Sequence, residues 1–163
     1  MSAVLLVYGV SVAVGNLWGG RLADQRGPIP ALSLIFGLLA LVLLALTFTA
    51  YNRWLVLLTV LALGAVAFGN VPGLQVYVVK QAQRFVPQAT DVASGLNIAA
   101  FNIGIALGAS LGGLVVDHIG LMHTPWIGAL VVLAALALTA LSGRLDRRDG
   151  LDARATGITV TAH

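Results

Sequence analysis

The chain has 163 residues, of which 59% are hydrophobic and 9% are charged, and its mean hydropathy is +0.97. Because charged residues approach a quarter of a typical soluble domain, this composition excludes such a domain and predicts an all-α, polytopic transmembrane helix bundle in the lipid bilayer. Cysteine is absent, which excludes disulfides and thiol chemistry, and the net charge of +3 comes from dispersed basic residues, so no nucleic acid partner is expected.

The first two apolar runs predict two transmembrane helices joined by a charged turn. Residues 3–22 are just long enough to span a bilayer. They lack the basic start and the small-residue cleavage site of a signal peptide. Residues 23–29 are expected to form a loop. Residues 30–50 are the most apolar run, and Pro30 suits the first turn of a helix.

The third predicted helix, residues 55–79, carries Pro72 between glycines. A proline within a span frees backbone groups, which is tolerated only where protein or a water-filled cavity satisfies them. We therefore expect this helix to be bent near Pro72 and to face other helices. A loop of residues 80–91 should follow, with Asp91 placed to cap the next helix.

The fourth predicted helix, residues 92–116, is uncharged and places three glycines four residues apart. These glycines, Gly104, Gly108 and Gly112, fall on one face of a helix. Such a strip lets the backbone of a neighbouring helix approach closely. We interpret the three glycines as helix-packing residues, and the other helices of the chain as partners of this one.

The fifth predicted span covers residues 124–142, and the polar remainder, residues 143–163, is expected to be a disordered tail. With five spans, Arg53 stands alone on one side of the membrane. The other eight basic residues share the opposite side: Arg21, Arg26, Lys80, Arg84, Arg144, Arg147, Arg148 and Arg154. The positive-inside rule therefore predicts a cytoplasmic carboxyl terminus. The odd span count and the abrupt first helix suggest that upstream helices are missing.

Uncharged polar side chains within the predicted spans are candidates for a substrate path: Asn70, Gln75, Tyr77, Asn97 and Asn102. Amides at membrane depth are costly unless they are hydrogen-bonded, and in transporters they often line the path of the substrate. Interhelical hydrogen bonds would satisfy them equally well. No span holds a catalytic set, and His118 and His123 lack a third metal ligand, so neither an enzyme nor a metal or cofactor site is expected.

One turn carries a recognisable motif. Residues 20–27, GRLADQRG, resemble the loop signature G-x-L-A-D-R-x-G-R-R of the major facilitator superfamily. Gln25 replaces the first basic residue of the signature, and residues 28–29 replace its final basic pair. Residues 97–116 resemble the eleventh helix of the drug:proton antiporters, especially the arabinose-efflux-permease-like group, and residues 69–75 stand where the tenth helix of that group is broken.

The resemblance covers residues 1–148 and implies part of the C-terminal half of a major facilitator fold, helices eight to twelve. It implies a protein of the cell (inner) membrane that exports small organic compounds, drugs or sugars, by alternating access coupled to protons. Its partners would be the missing N-terminal helices or another copy of the chain. The members of the implied cytoplasmic gate loop are Gly20, Asp24, Arg26 and Gly27.

Two alternatives remain open from the residues alone. In the first, the turn is a solvated loop that only sets topology. In the second, the whole chain is a small structural or oligomerising membrane protein without transport activity, which associates through its glycine strip. A natural start at Met1 with stable homo-oligomers would favour this second alternative, whereas further spans encoded upstream would favour a transporter.

Overall fold

The computed structural model describes residues 2–49 and 51–155, and the side chains of residues 6–49 and 51–148. These residues form five long helices: α1 (Ser2–Arg26), α2 (Pro28–Thr49), α3 (Arg53–Phe85), α4 (Thr90–His118) and α5 (Thr124–Ala155). Short 3-10 turns precede the last two helices, at Pro87–Ala89 and Leu121–His123. The helices α2 to α5 are long and apolar enough to cross a membrane. The predicted all-α transmembrane bundle is therefore confirmed, while a span at residues 3–22 stays a prediction.

The buried core lies where α2 is enclosed by its neighbours. The buried side chains of α2 recur every three or four residues: Ala31, Leu32, Ile35, Phe36, Leu39 and Ala40. Half-buried Leu63 and Val66 of α3 pack against this cluster from one side, and Val132 and Leu136 of α5 pack from the other. The strongly apolar α2 thus holds α3 and α5 on its two flanks.

The contacts between helices fix their directions. On α1, Gly15, Gly19 and Ala23 follow Ala65, Gly69 and Gly73 of α3 in the same order, so α1 and α3 run parallel. The helix α2 runs antiparallel to α3, because Leu32 lies beside Gly73 whereas the hydroxyls of Thr49 and Thr59 lie 2.9 Å apart at the other end. The helix α5 is in turn antiparallel to α2, because Gly143 meets Ile29 and Gly128 meets Leu43.

This topology gathers the carboxyl ends of α1, α3 and α5 at one end of the bundle, here called the basic end. It carries exposed basic side chains from all three helices: Arg21, Arg26, Lys80, Arg84, Arg144, Arg147 and Arg148. Arg53 lies at the opposite end, at the start of α3. The grouping expected from the sequence is therefore present, while the side of the membrane that it faces stays a prediction.

The helices extend beyond the predicted spans. The segment of residues 23–29, expected to be a loop, is helical through Arg26, and only Gly27 separates α1 from α2. Gly27 has a φ of +82°, a conformation that costs glycine little and other residues more. Likewise, α3 continues through the first half of the predicted loop 80–91, and α5 continues through the predicted tail to Ala155. The last residues of that predicted tail, 156–163, lie outside the described residues.

These differences share one physical cause. The apolar run marks where a helix leaves hydrocarbon, whereas the helix itself ends where its backbone hydrogen bonds end. Arg, Gln, Leu and Ala are good helix formers, so the chain remains helical after it becomes polar. A helix end predicted from the drop in hydropathy therefore lies too early in the sequence for the carboxyl ends of α1, α3 and α5.

The capping of two helices can be compared with the sequence. Asn52 caps α3, because its side-chain oxygen accepts hydrogen bonds from the backbone N–H groups of Trp54 and Leu55, at 3.0 and 3.4 Å. The expected cap at Asp91 is wrong: α4 begins at Thr90, so Asp91 lies within its first turn. There the carboxylate still suits the positive end of the helix dipole. Pro72 lies within an uninterrupted α3, and a bend at that residue stays a prediction.

The glycines at which helices meet lie elsewhere than expected. If a Cβ were added at Gly104, Gly108 or Gly112, it would have no atom of the described residues within 4 Å, and none of the residues of α4 (90–118, all described) is buried. Close backbone approach occurs instead between α1 and α3, where Gly19 faces Gly69. The expectation that the other helices of this chain partner the α4 strip is therefore wrong. Packing of the strip against a helix outside the described residues stays a prediction.

Candidate functional site

A hydrogen-bonded cluster joins α3 to α4 within their apolar stretches. The side-chain nitrogen of Asn97 donates to the side-chain oxygen of Gln75 at 2.6 Å, and the Gln75 nitrogen donates to the hydroxyl of Ser94. Ser94 and Asn97 are three residues apart, so they share one face of α4. All three side chains are half-buried. We call Gln75, Ser94 and Asn97 the amide cluster.

The amide cluster borders an open groove between α3 and α4. A recess of about 170 Å³ is lined by Gln75 and Asn97 together with Asn102 and the ring of Phe101. A wider recess of about 430 Å³ continues along α4 from Asn97 and Phe101 to Gly104. Its walls are largely apolar with few polar groups, the composition typical of sites that bind small molecules. Two of the predicted path residues, Gln75 and Asn97, thus meet directly, and a third lines the same groove.

Asn102 lies outside the hydrogen-bonded cluster. Its side-chain nitrogen donates to the backbone oxygen of Ile98, four residues earlier in α4, at 3.0 Å, and the side chain is exposed. Such a bond within one helix leaves the relative position of two helices unaffected. Asn102 therefore contributes a polar group to the groove without joining helices.

Asn70 presents a different situation. Its side-chain oxygen is buried and accepts no hydrogen bond from any residue in the described parts of the chain. A buried acceptor without a partner costs about 1–3 kcal/mol. Asn70 precedes Pro72, which cannot donate a backbone hydrogen bond, by two residues. The Asn70 oxygen is therefore an available hydrogen-bond acceptor on the part of α3 that packs against α1.

Tyr77 belongs to a second polar cluster, nearer the basic end. The side-chain nitrogen of Gln81 donates to the Tyr77 hydroxyl at 3.2 Å and to a carboxylate oxygen of Asp146 at 2.9 Å. Since Asp146 lies on α5, Gln81 links α3 to α5. Tyr77 thus lies apart from the amide cluster, although it stands only two residues after Gln75.

The sequence interpretation missed three members of these clusters. Ser94 could have been found, because it stands three residues before Asn97 on the same helix face. Gln81 could have been found in the same way, four residues after Tyr77. Asp146 carried no such signal, because it fell in the stretch predicted to be a disordered tail.

The four residues of the predicted gate loop lie at the junction of α1 and α2. Gly20 faces Pro72: a Cβ added at Gly20 would lie 3.8 Å from the Pro72 Cβ. Asp24 and Arg26 are exposed on the last turn of α1, where the cation suits the negative end of the helix dipole. Gly27 forms the turn itself. These residues therefore form a helix end and a one-residue turn, and their role in gating stays a prediction.

The three side chains of the amide cluster carry no charge, so the cluster forms no ion pair. Within the parts of the chain that the structure describes, no three His, Asp or Glu side chains are grouped so that they could hold a metal ion. What the cluster and the groove offer chemically is hydrogen bonding beside an apolar and aromatic surface. They suit recognition of a small molecule.

A bundle of apolar helices with a close glycine seam and uncharged hydrogen-bonded groups at membrane depth defines a multi-pass membrane protein. The sequence matches the Major Facilitator Superfamily over residues 1–157. The chain therefore belongs to this superfamily, as its resemblance to the loop signature predicted.

Three curated relatives illustrate the similarity. The chain is 54% identical over 153 residues to the uncharacterized MFS-type transporter YtbD of Bacillus subtilis, covering 94% of this chain and 38% of the relative. It is 37% identical over 147 residues to the inner membrane transport protein YdhP of Escherichia coli K12, covering 88% of this chain and 36% of the relative. It is 36% identical over 138 residues to a "Probable sugar efflux transporter" of Pasteurella multocida, covering 85% of this chain and 33% of the relative.

The chain thus spans little more than a third of the length of these relatives. No solved structure matches it.

Proposed function

We propose that the chain is the C-terminal portion, helices eight to twelve, of a transporter that exports small organic compounds across the inner membrane. Membership of the superfamily and the printed names of the relatives support transport, and one of those names specifies sugar efflux. The covered shares of the relatives, between 33% and 38%, fit a portion of a longer protein. Its carboxyl terminus is cytoplasmic, in keeping with the cations of the basic end.

The strongest support from the structure is the groove beside the amide cluster. The groove offers the amides of Gln75 and Asn97 and the aromatic ring of Phe101, without charge. Uncharged drugs and sugars present the complementary hydrogen-bonding groups and apolar faces. In alternating access, two helical halves rock about such a central site, and α3 and α4 would form one wall of it.

The energy source and the gate belong to this proposal as well. No Asp, Glu, Lys, Arg or His lies deep inside a predicted span of this chain, so the proton-coupling residue of the proposed transporter belongs to its other half. Asp24, exposed at the end of α1, interacts with a helix amino terminus in the opposite half, where its negative charge is favourable. In the whole transporter, Asp24→Asn should slow efflux, and transport at the wild-type rate would remove the gate assignment.

The first test is translation of the DNA upstream of Met1 in the same frame. Further apolar spans there would support a longer transporter. That protein, in everted membrane vesicles with an imposed proton gradient, should accumulate a radiolabelled sugar or an organic dye. We expect Asn97→Ala to lower the rate of accumulation about tenfold, which corresponds to about 1.4 kcal/mol.

The matched control is Ser110→Ala, because Ser110 is exposed on the same helix and its hydroxyl bonds only within α4, to the Ala106 oxygen at 2.9 Å. This control should transport at the wild-type rate. Equal rates for wild type, Asn97→Ala and Ser110→Ala would contradict a role for the amide cluster. If the vesicles accumulate neither sugars nor organic dyes, the result would contradict efflux.

The alternative function, an oligomerising membrane protein without transport activity, is favoured by the exposed glycine strip of α4. Such a strip would allow two copies of α4 to approach closely. The test is the mass of the purified chain in detergent, measured by light scattering. A stable oligomer that Gly108→Leu dissociates, together with absence of efflux, would support this alternative over the transporter.

A further inference from the structure

The basic end of the bundle is well suited to contact with anionic partners. Seven basic side chains are exposed there, on α1, α3 and α5, as given above. The carboxylates with described side chains at this end are Asp24, Asp91 and Asp146, and the last of these accepts the hydrogen bond from Gln81. Among the described side chains of the basic end, cations therefore outnumber carboxylates.

A second groove opens at this same end, between the last turns of α3 and the first turns of α4. It has a volume of about 480 Å³ and is bordered at one end by the Pro87–Ala89 turn. Its walls are mainly aliphatic, with Val78 and Ala82 on α3 and Val92, Ala93 and Leu96 on α4. The two polar groups in its wall, Tyr77 and Gln81, are hydrogen-bonded to each other. The groove therefore suits an apolar chain.

An exposed cation follows the groove along α3. Arg84 stands three residues after Gln81 of the groove wall, one helical turn nearer the basic end. Its guanidinium carbon lies 5.1 Å from the centroid of the Phe85 ring. Phe85 and Val86 are 62% and 54% exposed although they are apolar. An apolar pair beside an arginine at a helix end is suited to the membrane–water interface, with the rings and stems in lipid and the charge at the phosphates.

We propose that this groove binds one acidic phospholipid, with an acyl chain against Val78, Ala82 and Ala93 and the phosphate at Arg84. The aliphatic walls require a chain that a free phosphate ion lacks. The surplus of cations favours an acidic over a zwitterionic headgroup, since each Lys or Arg near the surface strengthens attraction to anionic lipid by about fivefold. The amide cluster adjoins this groove, because Ser94 lies between Ala93 and Leu96 of its α4 wall, and the lipid proposal does not rest on transport.

The test uses the whole chain, purified in a neutral detergent and freed of lipid. Dioleoyl phosphatidylglycerol or dioleoyl phosphatidylcholine is added, and native mass spectrometry measures how much of each remains bound. We expect phosphatidylglycerol to bind at least fivefold more tightly, and Arg84→Gln to weaken its binding by about fivefold. The matched control is Arg53→Gln, because Arg53 stacks on Trp54 in the same manner, at 5.4 Å, at the opposite end of the bundle. It should leave binding unchanged.

A second variant tests the groove itself. Ala93→Phe fills the space between α3 and α4, so it should lower binding of phosphatidylglycerol while circular dichroism shows the same helical content. If Ala93→Phe alters the fold, the test rests on Arg84→Gln, because Arg84 is exposed and its replacement leaves the packing of the helices unchanged. Equal binding of the two lipids, or wild-type binding by Arg84→Gln, would overturn the proposal. Displacement of the lipid by millimolar inorganic phosphate would also overturn it, because it would indicate a site for the anion alone.

Discussion

Gly19 of α1 lies directly against Gly69 of α3, so close that a Cβ added to Gly19 would stand 2.7 Å from the Gly69 Cα. One turn earlier, Gly15 meets Ala65 in the same way. Lipid supplies no hydrophobic force between helices, so the attraction of α1 for α3 depends on this close packing of backbones. The seam between α1 and α3 is thus the place where small residues matter most in this chain.

The first prediction concerns this seam. Gly19→Ala should lower the free energy of unfolding by about 1–3 kcal/mol, because the added methyl group forces the two backbones apart. The measurement is unfolding by sodium dodecyl sulfate in mixed micelles, followed by circular dichroism. Gly9→Ala is the control on the same helix, since a Cβ there meets nothing within 4 Å of the described atoms. A loss as large for Gly9→Ala as for Gly19→Ala would contradict the role of the seam.

The second prediction concerns the coupling between Gln75 and Asn97. In a double-mutant cycle with Gln75→Ala and Asn97→Ala, we expect a coupling energy of about 0.6 kcal/mol, the average for hydrogen bonds between membrane helices, and at most about 1.7 kcal/mol. The single variants and the pair are unfolded in the same mixed micelles. Asn102→Ala serves as control, because its side chain bonds only within α4 and should show no coupling to Gln75. Additive effects for Gln75 and Asn97 would argue against the bond.

The third prediction separates stability from function at Asn70. Replacing this residue by leucine removes a buried oxygen that has no partner among the described residues, so stability should be unchanged or rise by about 1 kcal/mol. If the oxygen accepts a hydrogen bond from the exported compound, the same variant should lose efflux in the whole transporter. A clear loss of stability in the isolated chain would show instead that Asn70 has a structural partner.

The fourth prediction concerns the link between α3 and α5. Gln81→Leu removes the bonds to Tyr77 and to the carboxylate of Asp146, and should lower the free energy of unfolding by about 1 kcal/mol. Gln83→Leu is the matched control, because Gln83 is exposed on the same turn of α3. Equal free energies of unfolding for Gln81→Leu and Gln83→Leu would contradict a stabilising link between α3 and α5.

Much of the fold follows from hydropathy alone, because a helix in a bilayer needs an apolar run of a minimum length. Four runs that meet this requirement became α2 to α5. Hydropathy does not determine where a helix ends in water or among headgroups. For that reason hydropathy predicts a loop and a tail where the structure has the helical turns of Lys80 to Phe85 and Arg144 to Arg148.

The candidate site was harder to predict for a geometric reason. Spacing along one helix shows which residues share a face, but the face that meets a neighbour depends on the rotation of both helices. Gln75 and Asn97 were singled out as costly amides in hydrocarbon, whereas their pairing with each other needed the structure. The glycines illustrate the same point: Gly15 and Gly19 have the four-residue spacing of Gly104 and Gly108, yet only the α1 pair is covered within the described residues.

The helix α4 contributes no buried residue, and the core is formed by the side chains of other helices. Within the described residues, packing therefore constrains the sequences of α2 and of the α1 seam more tightly than that of α4. Apart from Ser94 and Asn97, which bond to α3, substitutions on the exposed surface of α4 leave the side-chain contacts of the α2 core unchanged.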